Sequence, residues 1–245
     1  MLAGCSSSAA DAGEHLPAQE TPTSADANLA GPTTTSATST TATPSTTAVP
    51  STTEPPAAFE AAISPIDATT ADRMSSSWRV GCPVDLDDLR LIEVSHFTFD
   101  GENTTGELII HEDAAEDIVG VFELLFADAF PIERMELVDV YEADDDASMA
   151  ANNTSAFNCR EVAWQPGVWS NHAYGKAIDI NPLVNPYVSS TQLLPPEGAV
   201  YADRSVRVVG GVYAGDPIVD AFAEIGWTWG GTWSNAKDWQ HFDSR

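Results

Sequence analysis

The patterned part of the chain begins near residue 72. Leu89 to Phe99 is rich in β-branched and aromatic residues and reads as a strand. Asp100-Gly101 reads as a turn and Gly106 to His111 as a second strand, which together predict a hairpin. Asp113 to Ala129 changes period: Ile118, Val121, Phe122 and Leu125 recur on one helical face, Asp113 is placed to cap the helix, and Pro131 lies beyond its end. Ile132 to Tyr141 returns to strand character, and Ser148 to Asn153 predicts a short helix or turn. Asp216 to Ile225 predicts a second helix, with Pro217 at its first position, Ile218, Phe222 and Ile225 on one stripe, and Gly226 as its stop. Trp227 to Trp229 and Trp239 to Phe242 predict the last strands. Strands interrupted by helices in this order predict an α+β fold, with a small, mostly antiparallel sheet flanked by helices.

The stretch before that region has a different composition. Between Asp26 and Glu54 there is no charged residue, only Thr, Ser, Ala, Pro and a few others. Such a tract buries no core, so residues 6–71 are expected to be a disordered spacer open to O-glycosylation. The remaining 72–245 is long enough for one domain with a real core. Ahead of the spacer, Leu2-Ala-Gly-Cys5 matches a bacterial lipobox, in which the cysteine is acylated, although the basic and apolar regions of a signal peptide do not precede it. The expectation is a lipobox remnant at 1–5 and a lipid anchor at Cys5, which is the chain's one expected contact with a membrane.

The chemistry is concentrated near the end. Ser170-Asn-His-Ala-Tyr-Gly-Lys-Ala-Ile-Asp179 places His172 and Asp179 seven residues apart, and Asp238-Trp-Gln-His241 follows much later. On a straight strand, seven residues at ~3.3 Å each separate two side chains too far to share a ligand. The chain must therefore turn between them, and Gly175 sits where a turn needs a residue without a Cβ. Ala177 to Ile180 reads as a short buried strand, in which a charged Asp179 is costly unless paired or metal-bound. Positions 238 and 241 differ by an odd number, so on one regular strand they would face opposite ways; Asp238 is expected on the turn before the strand, near Asn235 and Lys237. Two histidines and a carboxylate are a sufficient ligand set for a catalytic zinc, which leaves one position to water, and a zinc hydrolase also needs a general base.

The two segments together resemble the zinc D-alanyl-D-alanine carboxypeptidase-like family, which includes the VanY and VanX peptidases and the L-alanyl-D-glutamate endopeptidases of phage lysins. The pattern Ser-x-His-x-x-Gly-x-Ala-x-Asp followed by Glu or Asp-x-x-His is met at Ser170, His172, Gly175, Ala177, Asp179, Asp238 and His241. The resemblance spans roughly Asp85 to Phe242, and Ile180 to Tyr187 looks like the actinobacterial VanY-like branch. It implies Zn2+ held by His172, Asp179 and His241, with Asp238 as base. An Asp at 238 departs from the dipeptidase branch and resembles the endopeptidase branch. Family members use an upstream arginine at the oxyanion, and Arg160, beside Cys159, is the candidate here; a structural ion pair with one of the many acids is the competing role. Ser155, Asn158 and Ser170, with Asn152 and Asn153, are candidates for lining a cleft for peptide backbone.

The implied substrates are peptidoglycan stem peptides, cut either at a terminal D-alanine or at L-alanyl-D-glutamate. A carboxypeptidase should carry a basic pocket, for which Arg204, Arg207 and Lys176 are the few candidates. A non-catalytic, zinc-containing cell-wall lipoprotein is the alternative, by analogy with the Hedgehog signalling domain, but it has no use for Asp238. Cys82 and Cys159 are expected to form one disulfide in an exported protein, the alternative being two buried thiols in a reducing compartment. The net charge of −27 excludes a nucleic-acid binder, which needs a basic footprint. Asp144 to Asp146 reads as a solvated loop, and His96 and His111 as strand histidines outside the metal site. Of the seven tryptophans, at least half are expected in the core, with some of the six near the motifs as candidates for the cleft wall. The expected protein is a monomer of the cell envelope, lipid-anchored at the outer face of the cytoplasmic membrane.

Overall fold

The computed structural model describes residues 57–163 and 165–244. Cys5, the spacer before residue 57 and Trp164 lie outside the described residues. The described chain enters as β1 (Ala61–Pro65) and helix α1 (Ala68–Arg73), which Asp67 caps by accepting from the Thr70 N–H at 2.7 Å. The domain thus begins well before residue 72, because β1 pairs antiparallel with β2 (Leu89–Phe97) along its full length. Backbone pairing asks for no particular side chain, so this small-residue segment carried no compositional mark of its strand.

β2 and β3 (Asn103–His111) form the predicted hairpin, in register from Leu89 opposite His111 to Phe97 opposite Asn103. Both faces of the hairpin are covered. Ile92, Val94, Leu108 and Ile110 join the main core with Ile118, Val121, Phe122 and Leu125 of helix α2 (Glu112–Ala127). Leu89, Leu91 and Ile109 turn the other way, into a second cluster with Met74, Leu137, Phe157 and Cys159. Each such side chain contributes about 1.5–3 kcal/mol on leaving water. The cap of α2 is His111 rather than Asp113: its Nδ1 accepts from the Asp113 N–H at 3.2 Å.

Ile132 to Tyr141 is not one strand. Only β4 (Arg134–Met135) is extended, and a 3-10 turn follows at Val138–Tyr141. The Asn153 side chain accounts for the break: it accepts from the Glu136 N–H at 2.9 Å and donates to the Glu136 carbonyl at 3.0 Å, taking the place of a strand partner. Helix α3 (Asp145–Ala150) lies where a solvated acidic loop was expected; Asp144 caps it by accepting from the Ala147 N–H at 3.1 Å. Asn153 then opens β5 (Asn153–Thr154), which runs parallel to β4.

The rest of the chain supplies β6 (Ala177–Asp179), β7 (Tyr187–Val188), β8 (Leu193–Leu194), α4 (Pro217–Glu224), β9 (Thr228–Trp229), β10 (Lys237–Asp238) and β11 (His241–Asp243). The fold is α+β as expected, but the strands divide among three small antiparallel sheets, β1-β2-β3, β10-β7-β8 and β6-β11-β9, beside the parallel pair. The β6-β11-β9 sheet rests on α4, where Phe242 stacks on Phe222 with ring centroids 4.1 Å apart. Trp227 and Trp229 are buried in the same core. Cys82 and Cys159 form the expected disulfide, closing the second apolar cluster.

Candidate metal centre

His172 sits in a short 3-10 turn, Asn171–Tyr174. Ser170 opens it, its Oγ accepting from the His172 N–H at 3.4 Å. Gly175 closes it in the left-handed region at φ 65°, where a Cβ would also come within 2.7 Å of the His111 backbone nitrogen. The chain then reverses into β6, whose antiparallel register with β11 sets Asp179 directly opposite His241. Directly opposed residues share a face with their Cβ atoms ~4.5–5.5 Å apart. The neighbouring pair, Ile178 and Phe242, faces the other way and is fully buried. The apolar side of this register thereby fixes the polar side.

The result is a closed triangle. His241 Nδ1 lies 2.9 Å from Asp179 Oδ1, His172 Nε2 lies 3.2 Å from Asp179 Oδ2, and the two imidazole nitrogens are 3.3 Å apart. All three residues are buried, and their ligand atoms lie within 4.8 Å of one another. His172 Nδ1 is 2.6 Å from the Ala156 carbonyl, which can only accept, so that nitrogen carries a proton and Nε2 is the atom left to act as a ligand toward the triangle. Two imidazole nitrogens and a carboxylate converging in a buried site suit a divalent metal.

In the metal-free site, protons compensate the negative charge. Burial works against a charged His241, but its bonds to Asp179 and Asp243 outweigh that and lift it to about 10. Burial likewise works against an ionised Asp179, yet His172 and His241 hold its carboxyl far below the usual range. A metal must displace such protons, so its binding is coupled to pH.

Asp238 stands beside this triangle on β10, not on the expected turn: it pairs with Tyr187 of β7, and Trp239-Gln240 separates it from β11. That break in the strand removes the odd-spacing conflict. Burial pushes its carboxyl up to about 6, with the charge of His241 opposing. Its Oδ1 is buried and, among the described residues, has no hydrogen-bond partner. Leaving such an oxygen bare costs ~1–3 kcal/mol, a cost found more often at reactive sites than in scaffolds. Trp233 packs against the His241 ring at 5.5 Å between centroids.

Arg160 is anchored from two sides. Its neighbour Cys159 is in the disulfide, and its carbonyl accepts from the Ser170 N–H at 3.1 Å, next to the His172 turn. Its Nη2 lies 2.8 Å from Asp145 Oδ2, so the ion pair weighed against a catalytic role is present. Asp145 belongs to the surroundings of the site although the sequence did not single it out; burial raises its carboxyl, opposed by Arg160 and by His172. Its only signal was its place in the first turn of a short helix.

Other expected site residues serve the scaffold. Ser155 exchanges both backbone hydrogen bonds with Asp179, at 3.1 and 2.9 Å. Asn158 donates its side-chain N–H to the Ala143 carbonyl at 3.2 Å, and Asn152 accepts from the Leu183 N–H at 2.9 Å. Asn153 joins β4 to β5 as described. Ser170 caps the His172 turn. The three cations considered for a carboxylate pocket are engaged elsewhere: Arg204 with the Val184 and Val212 carbonyls, Arg207 with Asp216, and Lys176 with Asp113 at 3.5 Å. His96 is buried in β2 and His111 caps α2, so neither joins the triangle.

A buried two-histidine, one-carboxylate triangle with a spare carboxylate beside it suits a metal-dependent hydrolase. Residues 163–244, which contain all four of these groups, match the family model described as D-alanyl-D-alanine carboxypeptidase. The match bears out the resemblance read from the motifs: over this segment the chain is similar to that peptidase family. No curated protein and no solved structure matches the chain.

Proposed function

We propose that this protein is a zinc-dependent peptidase that cuts peptidoglycan stem peptides at the outer face of the cell envelope. The observation that carries the reading is the buried triangle His172, Asp179 and His241 with the unpartnered Asp238 oxygen beside it, inside the segment that matches the family. Zn2+ held by the triangle supplies Lewis acidity toward a peptide carbonyl and toward water. His172 and His241 offer neutral nitrogens, and Asp179 offsets the charge of the ion. Asp238, whose carboxyl burial pushes up to about 6, is ionised at neutral pH and accepts a proton from the attacking water, then delivers it to the leaving amine. Arg160, fixed by Asp145 and by the disulfide, supplies positive charge for the oxygen that becomes negative in the transition state.

The disulfide supports an exported protein, since such bonds persist in oxidising compartments. An acylated Cys5 followed by a long Thr-rich spacer would hold the domain at the membrane with reach into the wall. The test is Asp238→Asn. It should keep stoichiometric zinc and lose hydrolysis of stem peptides, by about 100-fold or more. Undiminished hydrolysis by that variant refutes the role of Asp238. Zinc binding by the wild type without any cleavage favours the non-catalytic wall-binding alternative.

A further inference from the structure

We propose that Asp243 is a positioning residue of the metal centre: its carboxylate ties the turn carrying His172 to the strand carrying His241, and it fixes the His241 ring so that Nδ1 is the ligand atom. The inference rests on the metal-centre reading above and extends it to a residue outside the motif.

Along β11, Phe242 turns into the core, so His241 and Asp243 share the opposite face. Asp243 is only 3% exposed, and a carboxylate so deep is costly unless its oxygens are occupied. Both are. Oδ1 accepts from the Thr228 hydroxyl at 2.6 Å, across the β9–β11 pair in which the two residues are opposed. Oδ2 accepts from Asn171 Nδ2 at 2.7 Å and lies 3.6 Å from His241 Nε2. The partners thus come from β9, from the turn that carries His172, and from β11 itself.

The chemistry of the ring follows from its two sides. His241 Nδ1 faces Asp179 and His172, so it is the nitrogen inside the triangle. Nε2 faces outward, toward Asp243. An acceptor on that side keeps the ring proton on Nε2 and leaves the Nδ1 lone pair for a metal, the arrangement by which an outer carboxylate orients a ligand histidine. Because Asn171 directly precedes His172, the same carboxylate also holds the segment that carries the second histidine. Asn171 Nδ2 can only donate, so Oδ2 must accept there, while the second carboxylate oxygen is left free to accept from the Thr228 hydroxyl.

The test measures zinc affinity of the full, disulfide-intact chain by competition with a chromophoric chelator, together with long-range 1H–15N NMR of the histidine rings in the zinc-loaded protein. Asp243→Ala should bind zinc ~10- to 100-fold more weakly. In the wild type, His241 should show metal on Nδ1 and a proton on Nε2. A purely structural role would lower stability yet leave that ring pattern and the zinc affinity of the folded variant unchanged. Wild-type affinity in Asp243→Ala, or metal on Nε2 of His241, overturns the proposal. If Asp243→Ala does not fold, Thr228→Val, which removes one anchor and leaves the carboxylate, carries the test by the same readouts: a smaller loss of affinity is expected, and metal on Nε2 or unchanged affinity overturns it. A wild-type chain that takes up no zinc overturns the metal-centre reading itself, so the two failures are distinguishable.

Discussion

Gly230 gives the sharpest test of how closely Asp238 must be placed. The turn Gly230–Thr232 packs directly on β10, and a Cβ at 230 would lie 2.7 Å from the Asp238 Cβ and 2.6 Å from its carbonyl oxygen. Two carbons in contact settle at ~3.5 Å, so Gly230→Ala must separate the two segments by about 0.8 Å. Neither contact is the flexible end of a long side chain, so the displacement falls on the backbone that carries the carboxylate. Overpacking of this size costs ~1–3 kcal/mol of stability. The larger effect is on catalysis. A shift near 1 Å in a catalytic group lowers the rate by ~100-fold, or ~2.7 kcal/mol of barrier. The three atoms nearest a Cβ at 230 all belong to Asp238, whereas the triangle His172, Asp179 and His241 is built from β6, β11 and the Asn171 turn. Gly230→Ala should therefore bind zinc like the wild type, stay folded at 25 °C, and hydrolyse stem peptide ~100-fold more slowly. Zinc affinity by chelator competition, far- and near-UV circular dichroism, and initial rates on one defined muropeptide separate these effects. Wild-type rates would refute the argument that Asp238 is held by this contact, and loss of zinc with the rate would show that the turn supports the metal site instead.

Three further outcomes follow from the same structure. The Cys82–Cys159 bond spans 77 residues, and the loop-closure relation gives about 4.5 kcal/mol for a loop of that length, so Cys82→Ser with Cys159→Ser should lose 2–4.5 kcal/mol in urea unfolding, and a loss below ~1 kcal/mol would count against it. His241 in the metal-free protein is raised from 6.5 to about 10; its contribution is complete below pH 6.5 and is lost as pH rises through about 10. Chelator-treated protein should accordingly lose stability between pH 7 and 10, whereas the zinc-loaded form, whose His241 holds no such proton, should not; equal profiles would contradict this. Asp238, raised to about 6 without metal and lowered again beside a cation, should give kcat/KM an acid limb at or below pH 6 that Asp238→Asn abolishes, and a limb near 8 would point to a different base.

Much of this site was legible in the sequence because its signals are local. The His172 turn needs a cap and a left-handed residue, and Ser170 and Gly175 supply both within six positions. Helices α2 and α4 announced themselves by period and punctuation. The groups that were missed act over distance. Asp145 meets Arg160 and Asp243 meets Asn171 only once the chain is folded, across 15 and 72 residues. Asn152, Asn153 and Asn158 looked like cleft residues because polar loop residues always do; the structure uses their amides to satisfy backbone groups of Leu183, Glu136 and Ala143. β1 was hidden for the converse reason, since its small residues make a strand only through the ladder with β2. A single sheet was expected where three occur, because two-residue strands such as β7, β8 and β10 carry too few positions to show a period.

The most direct measurement of the central claim is mass spectrometry of purified muropeptides incubated with the zinc-loaded protein, with and without a chelator. The account predicts cleavage that the chelator abolishes and added zinc restores. Loss of one alanine mass would define a D,D-carboxypeptidase, and separation of L-alanine from D-glutamate an endopeptidase. Cleavage that persists in the chelator, or intact muropeptides beside fully zinc-loaded protein, would contradict it.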